Sequence, residues 1–203
     1  MKRGYGIVTN PNAYFEPEDG TLVFKNDGTV WDDMRILPSE FSRPGQTDPT
    51  IQTWTVDKIG YSIWCFNPDQ LGYFSVQVPH SYKEGSDIYV HAHWTPKENG
   101  ATEDGHTVAW GVWLTWANID AIFDTSVNVD LTDTCDGVND KHLMTPDILI
   151  DGTGKTVSSM ITGLFYRDTG DSWSGTGADG PGLLELDFHF EIDTIGSRER
   201  LSK

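Results

Sequence analysis

The chain has 203 residues, enough for one substantial core, and no Pro/Ser-rich linker or low-complexity block divides it. A formal net charge of −17 excludes a surface that grips a nucleic-acid backbone, which needs clustered Lys and Arg, and suits a basic protein partner. The 8 tryptophans, 21 glycines and repeated period-two alternation exclude a mainly helical fold, and no apolar run reaches the ~20 residues of a membrane helix or the core of a signal peptide.

Residues 1 to 20, rich in Gly, Pro, Asn and acidic side chains, are predicted to form an extended N-terminal arm anchored only by Tyr5, Tyr14 and Phe15. A single domain covers 21 to 203. In TLVFKNDGTVWDDM, the positive φ tolerated by Asn26, Asp27 and Gly28 predicts a hairpin. The strands IQTWTVD and YSIWCFN follow, separated by Lys58, Ile59 and Gly60.

Residues 72 to 94, GYFSVQVPHSYKEGSDIYVHAHW, are predicted as two strands joined by the turn SYKEGS, which puts His80 within reach of His91. On the second of them Ile88, Val90, Ala92 and Trp94 point one way, and Tyr89, His91 and His93 the other. The loop TPKENGATEDGH is too polar to be buried and is expected to project from one end. Thr107 to Ala117 is a central strand, with Val108, Trp110, Val112, Leu114 and Trp116 on one face.

Ile119 to Asp151 is the least regular part, with one short strand, TSVNVDL. The strands SSMITGLFYRD and LLELDFHFEID close the chain. In the last, Leu184, Leu186, Phe188, Phe190 and Ile192 form an apolar face, and Glu185, Asp187, His189, Glu191 and Asp193 a charged outer surface. Some eight to ten short strands predict an all-β fold, a two-sheet antiparallel β-sandwich of jelly-roll type. Cys65 and Cys135 show no ligand spacing and are expected as free thiols, in keeping with maturation in a cytoplasm.

Gly85, His91, His93, Glu98 and Gly105 reproduce the spacing of the first metal-binding motif of the cupin family and resemble it, which implies a divalent metal on His91, His93 and Glu98. The second cupin motif, a histidine after a Pro-x-Gly turn, has no counterpart at Pro181-Gly182. His80 or His189 is an alternative third ligand for Zn, Fe or Mn. Because His-x-His is common on strands and Glu98 lies among other charges, a solvated or interface-facing histidine pair with no cofactor is preferred, and the metal is kept as the alternative.

The segment Asp151 to Thr156, DGTGKT, lacks the earlier glycine of a phosphate loop, position 149 being Leu, and is read as a turn. The Asp-rich run VDLTDTCDGVNDKH does not follow calcium-loop spacing. No nucleophile elbow, Cys–His pair or converging acid pair marks an enzyme.

Thr29-Val30-Trp31-Asp32-Asp33, then Pro79-His80-Ser81-Tyr82-Lys83-Glu84-Gly85-Ser86-Asp87-Ile88 with His91-Ala92-His93-Trp94, and Phe190-Glu191-Ile192-Asp193 with Gly196-Ser197-Arg198-Glu199, resemble a family of tailed-bacteriophage virion structural proteins across residues 29 to 200. The resemblance implies a place in the particle, assembled in the host cytoplasm. Together with the arm, the charge and the sandwich, it points to a capsid decoration or cement protein that bridges major capsid proteins. The expected state is a small homo-oligomer, a trimer, without nucleic acid or membrane as partner. Tyr5, Tyr14, Phe15 and Trp31 are the candidate partner contacts. A tail or fibre module binding glycans through exposed aromatics such as Trp173, and a cupin-like metalloprotein, are the alternatives.

Overall fold

A computed structural model describes residues 12–203. Tyr5 and the rest of residues 1–11 lie outside the described residues. The strands are β1 (Ala13–Phe15), β2 (Leu22–Phe24), β3 (Val30–Ile36), β4 (Thr50–Val56), β5 (Ile59–Cys65), β6 (Leu71–Gln77), β7 (Ile88–Thr95), β8 (Thr107–Ala117), β9 (Val127–Thr134), β10 (Leu143–Met144), β11 (Ile148–Ile150), β12 (Met160–Arg167) and β13 (Gly182–Ile192). The fold is all-β, as the alternation predicts, and all its strand pairs are antiparallel.

One sheet runs β10-β7-β13-β5-β4, with β11 also pairing β7 and β3 also pairing β13. The other runs β6-β12-β8-β9. Their inner faces meet in one core. Val108, Trp110, Val112, Leu114 and Trp116 of β8 face Ile88, Val90, Ala92 and Trp94 of β7 and Leu186, Phe188 and Phe190 of β13, all within one buried cluster. Aromatic rings fill much of it, Phe66, Trp110 and Phe165 lying 5.1–5.4 Å apart between centroids.

Several local expectations are corrected. Residues 72 to 94 do not form a hairpin, because β6 belongs to the four-stranded sheet and β7 to the seven-stranded one. The ten residues between them cross from one sheet to the other, far longer than the loop of a tight hairpin. Asn26 to Gly28 do turn, with Asn26 at φ 51°, yet the turn separates β2, which pairs β1, from β3, which pairs β13. The described part of the predicted arm is folded back: Ala13 to Phe15 pair with Leu22 to Phe24, and Phe24 N–H donates to Asp193 O at 2.6 Å.

The polar loop after β7 is not wholly outside. Glu103 is 1% exposed, and its carboxylate accepts from Ser174 Oγ at 2.5 Å, Gly175 N–H at 2.9 Å and Ser174 N–H at 3.0 Å, with His106 Nδ1 at 2.7 Å. It staples the Gly/Asp loop before β13, and Trp173 of that loop is buried rather than displayed. Burial pushes the Glu103 carboxyl up, but the hydrogen bonds from Ser174, His106 and Gly175 outweigh it, so its pKa is lowered from 4.5. The folded state therefore holds its proton less tightly than the unfolded chain. That stability is complete above the unfolded value and is lost as pH falls from there through the folded value. Urea midpoints measured from pH 6 to pH 3 should fall more steeply for the wild type than for Glu103→Gln.

In DGTGKT, Gly152 serves packing, since a Cβ there would lie 1.7 Å from Ser86 O, and Gly154 serves the turn, at φ 74°. Cys65 and Cys135 are free and buried, and burial raises both thiol pKa values. Among the described residues no helix is long and apolar enough to cross a membrane.

Candidate functional site

On the outer face of the seven-stranded sheet, strand register brings distant residues together. His91 of β7 lies opposite Asp187 of β13, His93 opposite Glu185, and His189 of β13 opposite Asp33 of β3. Paired residues of antiparallel strands project from the same face, so this pairing alone assembles imidazoles and carboxylates. The edge adds more. Met144 of β10 pairs with His93 and Ile148 of β11 with Val90, while the interval between the two short strands, Thr145 to Asp147, carries Asp147 over His91. Thr145 holds that interval by donating its N–H to Ala92 O and accepting from Ala92 N–H through Oγ1, both at 3.0 Å.

The resulting distances are short. His91 Nε2 and His93 Nε2 are 2.9 Å apart, and Asp187 Oδ2 lies 3.7 Å from the first and 3.8 Å from the second. His189 Nε2 is 3.9 Å from the same carboxylate oxygen, and His189 Nδ1 is 3.3 Å from Asp33 Oδ1. His93 Nδ1 contacts His142 Nε2 at 2.7 Å. His91 Nδ1 is 2.9 Å from Asp147 Oδ1 without hydrogen-bond alignment. His91 is fully buried and Asp187 is 3% exposed, and Asp187 Oδ1 has no hydrogen-bond partner. Beside it, Arg35 holds Glu185 in a two-pronged ion pair.

Burial pushes the His91 pKa down, with His93 adding to the effect, and burial followed by His93 does the same to His142. Near neutral pH both rings are uncharged, each with one nitrogen lone pair available. Two clefts flank the cluster. One, of about 370 Å³, is lined by Arg35, Trp54, Tyr61, His93, His142 and Glu185. The other, of about 300 Å³, is lined by Trp31, Tyr89, Asp147 and His189.

Only part of the predicted ligand set is here. His91, His93 and the alternative His189 come together, but His80 does not: its ring contacts Ser158 Oγ at 2.7 Å and Ser197 Oγ, tying the loop after β6 to the C-terminal segment. Glu98 is exposed in the short turn after β7, away from every grouping of His, Asp and Glu close enough to share a cation among the described residues. The outer face of β13 is no open charged surface either, because Glu185 and Asp187 are buried by Arg35 and the imidazoles. A break in register between Leu183 and Glu185 turns Leu183 inward and leaves Leu184 half-buried. Of the candidate partner contacts, Tyr14 is half-buried with Lys25 Nζ 4.8 Å above its ring. Phe15 and Trp31 are exposed, Trp31 meeting Tyr89 edge-on at 5.6 Å.

No local pattern marks Asp187, Asp147 or His142 as ligands. Asp187 is recognisable only once β13 is paired with β7, and the other two lie in the stretch with the weakest periodicity.

No protein-family model and no curated protein matches the chain. Among solved structures, a cycloisomaltooligosaccharide glucanotransferase of a Paenibacillus species, complexed with cycloisomaltoheptaose, is similar at 13% identity and TM-score 0.44, over 75% of this chain and 18% of the enzyme. An infectious bursal disease virus structure is similar at 8% identity and TM-score 0.37, over 89% of this chain and 36% of the viral one. The stem and receptor-binding domain of spike protein P1 from bacteriophage PM2 is similar at 9% identity and TM-score 0.30, over 80% of this chain and 96% of the spike fragment. At these TM-scores the likenesses assign neither ligand nor partner to this chain.

Proposed function

We propose that this chain is a virion structural protein of a tailed bacteriophage, a decoration or cement protein that stabilises the head shell by contacts with major capsid proteins. One observation carries the reading. The β4–β5 hairpin leaves the sandwich: residues 55 to 62 are exposed along both strands, and Val56, Ile59 and Tyr61 are 44%, 74% and 42% exposed. β13 pairs with this hairpin only at its base, through Trp64 and Cys65. Apolar side chains held out from a stable body, here flanking the charged turn Asp57-Lys58, lose free energy when a neighbouring protein covers them. The net charge of −17 favours a neighbour with a basic face.

The strand orders β10-β7-β13-β5 and β6-β12-β8-β9 support a jelly roll, because the chain visits the two sheets in the sequence that two interlocked Greek keys require. The resemblance of residues 29 to 200 to phage structural proteins supports a place in the particle. A trimer is the proposed unit of assembly.

A second reading, a tail or fibre module that binds glycans, is favoured by a row on the outer face of the four-stranded sheet. Tyr73, Leu164 and Trp113 pair across β6, β12 and β8, and both aromatic rings are exposed. In purified particles of the phage that encodes it, the chain should be present in stoichiometric amount, and an Ile59→Asp, Tyr61→Asp variant should be at least about tenfold depleted while keeping the wild-type melting temperature. Unchanged occupancy of the variant would remove the hairpin from the interface. Localisation of the wild type to the tail and not the head of the particle, with glycan-array binding lost in Trp113→Ala, would replace the proposal by the second reading.

A further inference from the structure

We infer that His91 Nε2, His93 Nε2 and Asp187 Oδ2 form a site for one divalent transition-metal ion, with Zn²⁺ as the fitting class, on the outer face of the seven-stranded sheet. The inference goes beyond the particle role and stands independently of it.

Geometry is the first support. Around Zn²⁺ with bonds of about 2.0–2.1 Å, tetrahedral donors are about 3.3–3.4 Å apart. The three separations here, 2.9, 3.7 and 3.8 Å, bracket that value, so displacements of a few tenths of an ångström complete the triangle.

Unsatisfied groups are the second. Asp187 is nearly fully buried, receives no hydrogen bond at Oδ1, and has at Oδ2 only imidazole nitrogens 3.7–3.9 Å away, beyond hydrogen-bond range. A carboxylate in that position is costly without a cation. Arg35, opposite Asp187 in the register, gives its hydrogen bonds to Glu185 and none to Asp187.

The third support lies behind the ligands. With both Nε2 atoms on the metal, each Nδ1 carries the ring proton: His93 Nδ1 has His142 Nε2 as acceptor at 2.7 Å, and His91 Nδ1, unpaired in the metal-free geometry, has Asp147 Oδ1 2.9 Å away, to be brought into alignment by a small rotation. A carboxylate or a second ring behind a ligating histidine is the arrangement that fixes its tautomer and raises its basicity. Two imidazoles and one carboxylate match Zn²⁺ and its neighbours in the first transition row better than Mg²⁺ or Ca²⁺, which take oxygen donors. Three protein ligands leave a further coordination position, and His93 borders the cleft between the sheet and the β4–β5 hairpin. This differs from the cupin arrangement in two respects: the metal is outside the sandwich rather than within it, and Asp187 replaces Glu98.

The test is calorimetric titration of Zn²⁺, Mg²⁺ and Ca²⁺ into the full chain, free of any tag and stripped with chelator. The expected result is one Zn²⁺ per chain with a dissociation constant below about 1 μM, and much weaker binding of the other two. Saturation at about a hundred times that constant should raise the melting temperature by about 5–10 °C. Co²⁺ in place of Zn²⁺ should give visible absorption bands of a site with imidazole and carboxylate donors. His91→Ala and Asp187→Asn should each weaken Zn²⁺ by at least about a hundredfold, whereas His80→Ala and Glu98→Gln should leave it unchanged. Asp187→Asn also reports on folding: by removing an unpaired buried charge it should melt no lower than the metal-free wild type. Zn²⁺ binding weaker than about 100 μM, or retained within about twofold in Asp187→Asn, would overturn the site.

Discussion

Arg167→Met should lower the unfolding free energy by about 3–5 kcal/mol, read from the shift in urea midpoint at constant slope. Arg167 is fully buried, and every polar arm of its guanidinium is used. Nε donates to Asp171 Oδ2 at 2.6 Å and Nη2 to Asp171 Oδ1 at 2.9 Å. The remaining donors reach Phe66 O at 2.8 Å, Trp173 O at 3.0 Å and Gly175 O at 3.3 Å. Methionine fills much of the volume but leaves the Asp171 carboxylate, itself 3% exposed, without its counter-charge and three carbonyls short of a donor. The cost comes mostly from those abandoned partners, not from a large net value of the ion pair. Arg167→Met with Asp171→Leu should therefore recover part of the loss, and a double variant no better than the single would refute this account.

Trp94→Ala should cost about 3–5 kcal/mol and lower the melting temperature by about 6–20 °C in a calorimetric scan. The Trp94 ring is fully buried between the sheets, packs edge-on against Trp173 at 5.7 Å, and donates Nε1–H to Asp133 Oδ2 on β9 at 2.8 Å. It is thus one of the side chains that physically joins the two sheets and also seats the Gly/Asp loop. Alanine leaves a cavity too rigidly framed to collapse, and Asp133 loses a partner. Trp94→Phe keeps the packing and loses only the hydrogen bond, so it should fall between the two.

Much of the fold could be read from period-two alternation, because a half-buried strand writes its orientation into every second residue. On that basis Val108, Trp110, Val112, Leu114 and Trp116 share one apolar face, as do Ile88, Val90, Ala92 and Trp94, and all of them are in the core. What alternation does not contain is which strand lies beside which. The stretch from Gly72 to Trp94 reads as a hairpin because nearby strands usually pair, yet its two strands belong to opposite sheets, and His80 leaves the cluster with the first of them. His91 meets Asp187 across ninety-six positions of sequence, a pairing that no local pattern announces. The alternation of β13 also breaks at Leu183, where an irregularity of register shifts one residue to the other face. Polar character misled at Glu103 and Asp187 for a shared reason: a charged residue is buried when a partner fully satisfies it or when a site demands it, and neither condition is visible in the residue itself.

The two thiols bear on how the chain tolerates oxidising surroundings. Cys65 and Cys135 are its entire thiol content, both are buried, and burial keeps both in the protonated, unreactive form. Oxidants attack the thiolate, and disulfide exchange needs access to it. Copies of the chain in air-saturated, non-reducing surroundings consequently have no exposed sulfhydryl through which to cross-link.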